Sequence, residues 1–195
     1  MNKLKTIIVA GFALAASATA VSAEGLYVGG QLGFSGGGGE FNNTGTDLIF
    51  GMGRVGSLAV GQEFGNARVE GEIALRKNNM DNFGGVPVSG DMSSTAFMVN
   101  GYYDFGGDTW FFRPYVGLGI GAANVTFTTP SVDDNTTTFA MQFMLGGTIP
   151  FTDNFAMTVD WRLFGAAPSF QNAVGTSFEQ DYGTSSLMLG ARYSF

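Results

Sequence analysis

The chain contains neither cysteine nor histidine. Without cysteine there is no disulfide framework and no thiol nucleophile. Without histidine there is no imidazole base, and with both residues missing the usual zinc ligands are gone. Charge is scarce too: Asp, Glu, Lys and Arg make up 13% of the 195 residues, about half the soluble average. The body of the chain has no long apolar run, so it holds no candidate membrane-spanning helix. What is plentiful is glycine, with 31 residues, and aromatic side chains, at 14%. Low charge without a continuous apolar helix fits alternating strands better than a soluble core or a helical bundle.

The N-terminus reads as a targeting segment. Lys3 and Lys5 are a positive start, and residues 7–16 are an apolar stretch too short to cross a bilayer. Val21-Ser22-Ala23 places short residues before a cut. Residues 1–23 are therefore read as a secretory signal peptide cleaved before Glu24, with Ala18-Thr19-Ala20 as the alternative cleavage point. Residues 24–195 form one domain. Once Lys3 and Lys5 are lost, seven of the nine basic residues face 16 acidic ones, a net charge of −9. That balance argues against nucleic acid or anionic phospholipid as a partner.

The last stretch organises the rest. In steps of two, Leu187, Leu189, Ala191, Tyr193 and Phe195 share one face, while Ser186, Met188, Gly190, Arg192 and Ser194 share the other. An apolar strand face at a chain end is a liability in water and suits the closing strand of a membrane barrel. Seven further segments alternate in the same way. The clearest is the third, from Ala67 to about Lys77. There Val69, Ile73 and Leu75 oppose Arg68, Glu70, Glu72, Ala74 and Arg76. The fifth runs from about Trp110 to Val125. Between the strands, loops are expected over 36–47, 78–93, 126–137 and 165–184, with short turns near Gly65-Asn66, 106–108 and 150–154. Long and short connections alternate, so both ends of the domain lie on the short-turn side. The fold expected is all-β: an eight-stranded antiparallel up-and-down barrel crossing the outer membrane as a monomer.

Charge fixes which face looks inward. Arg or Lys on the lipid face at mid-membrane costs roughly 2–4 kcal/mol. A one-residue register slip would expose every such group of a strand. All six arginines can take the polar parity of their strands, Arg54 included. A lumenal network of Arg68, Glu70, Glu72, Arg76, Arg113, Asp160, Arg162 and Arg192 follows, paired because it is buried. Inward glycines on the fifth strand leave room for these long side chains. Tyr27, Phe64, Tyr103, Phe105, Trp110, Phe155, Tyr193 and Phe195 lie near the short-turn end and are expected to form an aromatic girdle.

Three segments carry a resemblance. They are Asn100-Gly101-Tyr102-Tyr103-Asp104-Phe105, Arg113-Pro114-Tyr115-Val116-Gly117-Leu118-Gly119-Ile120-Gly121, and the terminal Arg192-Tyr193-Ser194-Phe195. With them the mature chain resembles the small outer-membrane β-barrel proteins of Gram-negative bacteria, the OmpA/OmpX-like and opacity-protein-like group. The resemblance implies a non-enzymatic surface protein without cofactor, set among outer-membrane lipid and lipopolysaccharide. It implies external loops that serve envelope integrity or meet a host or surface ligand. It also implies that Tyr193 and Phe195 signal to the barrel-assembly machinery. The alternative is a narrow, porin-like pore for small solutes or ions, drawing on the glycines of strand five.

Glu70 and Glu72, two apart on one face, could approach as a hydrolytic carboxylate pair or take part in lumenal ion pairs; a plugged lumen favours the latter. Asp133-Asp134-Asn135, Glu179 and Asp181 offer oxygen ligands, but their spacing matches no metal loop. Phe41, Phe83, Phe170 and Phe178 either pin the external loops or offer a sticky surface. Met92, Met98, Met141 and Met144 read as fillers of wall and lumen. The glycine run 36–39 lacks the Lys-Ser/Thr and helix of a phosphate loop.

Overall fold

In the computed structural model the protein is described over residues 25–41, 46–83, 86–87, 90–107, 110–129, 132–167, 169–171, 177–179 and 182–195. The expected signal peptide, 1–23, lies outside the described residues. Eight long strands form the wall: β1 (Leu26–Phe41), β2 (Thr46–Phe64), β3 (Ala67–Phe83), β4 (Asp91–Asp104), β5 (Arg113–Thr129), β6 (Val132–Pro150), β7 (Phe155–Ala166) and β8 (Tyr182–Ser194). Each pairs antiparallel with its chain neighbour, and β8 pairs back onto β1, with Leu32 opposite Leu189 and Val28 opposite Tyr193. The sheet is a closed eight-stranded barrel, and no helix occurs among the described residues. Closure leaves no strand edge to face lipid.

Parity places the side chains. On β4 the inward Ala96, Met98, Asn100 and Tyr102 are buried, while Val99 and Tyr103 face outward. On β8 Ser186, Met188 and Arg192 point in, and Leu187, Leu189 and Tyr193 point out, as does Phe195 just past its end. The outer wall is thus a belt of exposed apolar residues, Leu32, Leu58, Leu118, Ile120 and Leu145 among them. Water would penalise such a surface and hydrocarbon accepts it.

The external end differs from the sequence expectation. Where they are described, segments 36–47, 78–93, 126–137 and 165–184, expected as loops, are largely strand. β1 runs through the glycine run to Phe41, β3 continues to Phe83, and β5 and β6 extend to Thr129 and from Val132. A further short hairpin pairs Ser169–Gln171 with Ser177–Glu179, and Val86–Pro87 adds to β3. Glycine and polar residues signal loops only when the backbone lacks a partner. Here Gly37 and Gly38 lie between β2 and β8 and are hydrogen-bonded on both sides, after a bulge at Ser35/Gly37. Thr126, Thr128, Thr129 and Thr136 to Thr138 are β-branched, and with the aromatic Phe127 they suit a ladder outside the membrane. A tilted strand needs about 9–11 residues to cross, so the 19 residues of β2 and of β6 reach well beyond the lipid.

The short-turn end matches expectation. Gly65, at φ 65°, and Asn66 close a two-residue hairpin between Phe64 and Ala67. β5 begins at Arg113, not Trp110, which lies in the preceding turn. The chain end is fastened by the Phe195 N–H donating to the Leu26 carbonyl at 3.0 Å.

Glycines on the inner wall of β5 set how tightly the barrel can curl. A Cβ built on Gly121 would run into the Phe97 carbonyl oxygen and lie 2.8 Å from the Met98 sulfur. A carbonyl in a ladder cannot move aside. Gly121→Ala should therefore cost about 1–3 kcal/mol, read as a lower urea midpoint in micelles. Gly71→Ala, where the new methyl meets open space, should leave the midpoint in place. Equal effects of the two would refute the packing argument.

Candidate functional site

The barrel axis is filled in layers. At the periplasmic end Arg68, on β3, is the hub. Its Nε and Nη2 donate to Asp104 at 2.5 and 3.2 Å, and its Nη1 donates to Glu70 at 3.3 Å. The guanidinium lies 4.5 Å from the Tyr102 ring centroid and 4.9 Å from that of Tyr115. Those two rings meet edge to face at 5.5 Å. A delocalised cation between aromatic faces, with a carboxylate on its edge, satisfies both its charge and its planar donors. Glu70 also accepts from the Tyr27 hydroxyl at 2.7 Å. Arg192 pairs with Glu63 at 3.0 Å and lies 4.8 Å from the Tyr27 ring.

The next layer is built on Arg162 of β7. Its Nε donates to Asp160 at 2.7 Å and its Nη1 to Glu72 at 2.5 Å, and its Nη2 donates to Gln31. Asp160 accepts further bonds from Tyr115 at 2.8 Å and Gln31 at 2.7 Å. Gln142 links this layer outward. Its amide nitrogen donates to Glu72 at 3.0 Å and to Asn100 at 2.8 Å, and its oxygen accepts from Arg76 at 3.2 Å. Buried charges are costly unless paired and hydrogen-bonded; against the expected pairing, Arg76 meets no carboxylate within ion-pair distance among the described residues, and its Nε and Nη1 are unbonded. The inward glycines of β5 make the space: a Cβ at Gly117 would come within 2.5 Å of Tyr102 and 2.7 Å of Met144.

Above Arg76 the filling becomes mixed. The Arg76 guanidinium lies 4.0 Å from the Phe164 ring centroid. Asn78 bonds Ser35 and accepts from Tyr182 at 3.2 Å. Around them Met92, Ala96, Met98, Ala123, Val125, Ala140 and Phe164 pack into an apolar cap. Between the Arg68 and Arg162 layers is a cavity of ≈ 30 Å³, lined by Gln31, Ser57, Glu70, Glu72 and Arg162 among others. That is room for about two waters.

The eight residues named from the sequence for the lumen all carry inward parity. Arg68, Glu70, Glu72, Arg76, Asp160, Arg162 and Arg192 are buried, while Arg113, near the periplasmic mouth, is half-buried. Glu70 and Glu72 belong to different layers, each answering its own arginine. Two placements differ from expectation. Arg54 is exposed on the outer wall, because Val55 and Ser57 take the inward parity of β2. Tyr27 is fully buried in the lumen instead of joining the girdle, since it alternates with the outward Val28. Phe64, Tyr103, Phe105, Trp110, Phe155, Tyr193 and Phe195 are exposed at the short-turn end. The lumenal residues outside the network expected from the sequence include Asp104 and Glu63, which pair with Arg68 and Arg192, the amides Gln31, Asn100 and Gln142, and the tyrosines 27, 102, 115 and 182. Their inward parity was the available signal. Among the described residues no cluster of three metal-ligating side chains occurs. The side chains of Phe41, Phe83, Phe170, Phe178, Asp133 and Glu179, and all of Asp181, lie outside the described part.

A closed antiparallel barrel with an apolar exterior and a charged, hydrogen-bonded interior defines a protein that crosses a membrane with strands. Residues 6–195 match the family described as outer membrane protein beta-barrel domain, and the chain belongs to that family. Its place is the outer membrane. The chain is 25% identical over 245 residues to outer membrane protein PagN of Salmonella typhimurium, with 100% of each covered. In fold it is similar to OprG of Pseudomonas aeruginosa, at TM-score 0.64 and 15% identity over 88% of this chain and 96% of that one. It is also similar to Neisserial surface protein A, at TM-score 0.61 and 16% identity over 88% and 97%.

Proposed function

We propose that this is a closed, monomeric, non-enzymatic barrel whose external strand extensions serve surface interaction or envelope integrity. A cleaved signal peptide over residues 1–23 would deliver it. The observation that carries this reading is the filled lumen. Two crossed layers of ion pairs, on Arg68 and on Arg162, leave a cavity of only ≈ 30 Å³ between them. A solute path would need both layers to part, and each parting strands buried charge. With the axis filled, specificity falls to the external end.

Residues 36–53, 78–92, 126–138 and 165–185 contain no Lys or Arg and eight acidic residues, from Glu40 and Asp47 to Glu179 and Asp181. Such an end suits a neutral or basic partner and repels polyanions. The narrow-pore reading draws on the lumenal cavity, and planar-bilayer recording separates the two. The refolded barrel is expected to give no stable unitary steps. Reproducible steps of one size would overturn the closed reading in favour of the pore.

A further inference from the structure

We propose that Arg54 and Lys77 form a phosphate site on the outside of the barrel, which takes a phosphorylated glycolipid of the outer leaflet. The inference does not depend on whether the lumen conducts. It rests on the strand-overhang end being the external one.

Five of the seven basic residues beyond position 24 carry inward parity: Arg68, Arg76, Arg113, Arg162 and Arg192. The remaining two, Arg54 and Lys77, are exposed on the outer wall and sit directly opposite each other in the β2–β3 ladder. Like charges across a ladder repel and cost stability. A sequence that places its only two outward cations side by side meets that cost unless an anion lies between them. Lys77 has a partial answer in Asp91, at 2.9 Å, but both side chains are about half exposed, where such a pair is weak. Among the described residues Arg54 has no ion-pair partner.

Their height is informative. Arg54 lies ten residues above Phe64 on β2, and Lys77 ten above Ala67 on β3. At about 3.4 Å per residue and a tilt of about 40°, that climb is roughly 26 Å, against an apolar band about 25 Å tall. The pair therefore stands at the upper border of the hydrocarbon, where lipid headgroups begin. Below it the wall is a bed of acyl-chain contacts: Phe34 beside Arg54, then Leu32, Leu58 and Leu75, each at least 58% exposed. Cations above an apolar bed match a ligand with phosphate on a sugar headgroup and acyl chains beneath. The net charge of the chain argues against anionic lipid in general. This pair is a local exception, set apart by about 26 Å from the aromatic girdle at the other border.

The test uses the refolded barrel in neutral dodecylmaltoside micelles and counts bound lipid by native mass spectrometry. The probes are bisphosphorylated lipid A, its dephosphorylated form, phosphatidylglycerol and inorganic phosphate. The expected result is one retained lipid A and much weaker retention of the dephosphorylated form. Arg54→Gln and Lys77→Gln should each weaken binding roughly fivefold. Both side chains are exposed, so the variants should keep the native heat-modifiable gel mobility. Undiminished binding by the double variant, or equal retention of dephosphorylated lipid, would overturn the site. Phosphatidylglycerol held as tightly as lipid A would overturn the glycolipid assignment. Inorganic phosphate competing at lipid concentrations would point to a free-anion site and overturn the membrane ligand.

Discussion

Replacing Arg162 by Ala is expected to lower the unfolding free energy by about 3–5 kcal/mol, the loss that follows when one member of a buried ion pair is removed. The size comes from what is left behind. Glu72 and Asp160 are almost wholly buried, and both lose their guanidinium partner at once. Asp160 keeps bonds from Tyr115 and Gln31, and Glu72 keeps one from Gln142. These neutral donors offset part of the cost of the charge but do not cancel it. The measurement is urea unfolding of the barrel in micelles followed by tryptophan fluorescence. A drop under about 1 kcal/mol would show that water reaches the layer and screens it. Combining Arg162→Met with Glu72→Gln and Asp160→Asn should recover most of the loss, because a neutral filled layer leaves no stranded charge. If the triple variant is no more stable than Arg162→Ala, packing around the guanidinium, not charge, is what the layer supplies.

The second large effect is expected in cells and not in the test tube. Tyr193 and Phe195 are exposed on the outer wall, edge to face with ring centroids 5.4 Å apart. They make no contact with the lumen, so Tyr193→Ala with Phe195→Ala should change the stability of the refolded barrel by less than about 1 kcal/mol. Substitution leaves the bond from the Phe195 N–H to Leu26 in place. If the pair is the assembly signal, the double variant should nevertheless be nearly lost from the outer-membrane fraction and accumulate as an unfolded, heat-insensitive band. Normal membrane levels together with normal refolding would remove that role. Poor refolding in vitro would instead make the pair a structural clasp. Phe64→Ala, another girdle residue exposed at the same end, is the control and should assemble normally.

The strand count, the sidedness of each strand and the inward parity of the five lumenal arginines were all legible from alternation. The reason is energetic. A charged group in hydrocarbon is so costly that one register per strand survives, and that register can be read from residue types alone. Arg54 shows the limit of the rule. Its strand rises past the membrane, and where lipid ends the penalty ends, so an outward arginine is tolerated there. Tyr27 shows another limit, since an aromatic near a membrane border satisfies either a girdle or a lumen, and only its parity beside Val28 decides. The external ends were misread for a related reason. Glycine, threonine and asparagine signal loops through local preference, whereas residues 36–38 are held in strand by 183–185, and 126–128 by 91–93, partners far away in sequence.

By itself, then, the sequence determined a closed eight-stranded barrel and which side of each strand meets lipid, because both follow from a period of two and the cost of charge in hydrocarbon. The tertiary structure alone decided who pairs with whom inside. Glu70 and Glu72 are two residues apart yet serve Arg68 and Arg162, which lie on different strands. The choice depends on how far each strand is shifted against the next around a closed wall. That shift is a property of the whole ring, and no single strand encodes it. The juxtaposition of Arg54 and Lys77 has a more local origin: 23 residues apart in the chain, they are set opposite each other by the register that the Gly65-Asn66 turn gives the β2–β3 hairpin.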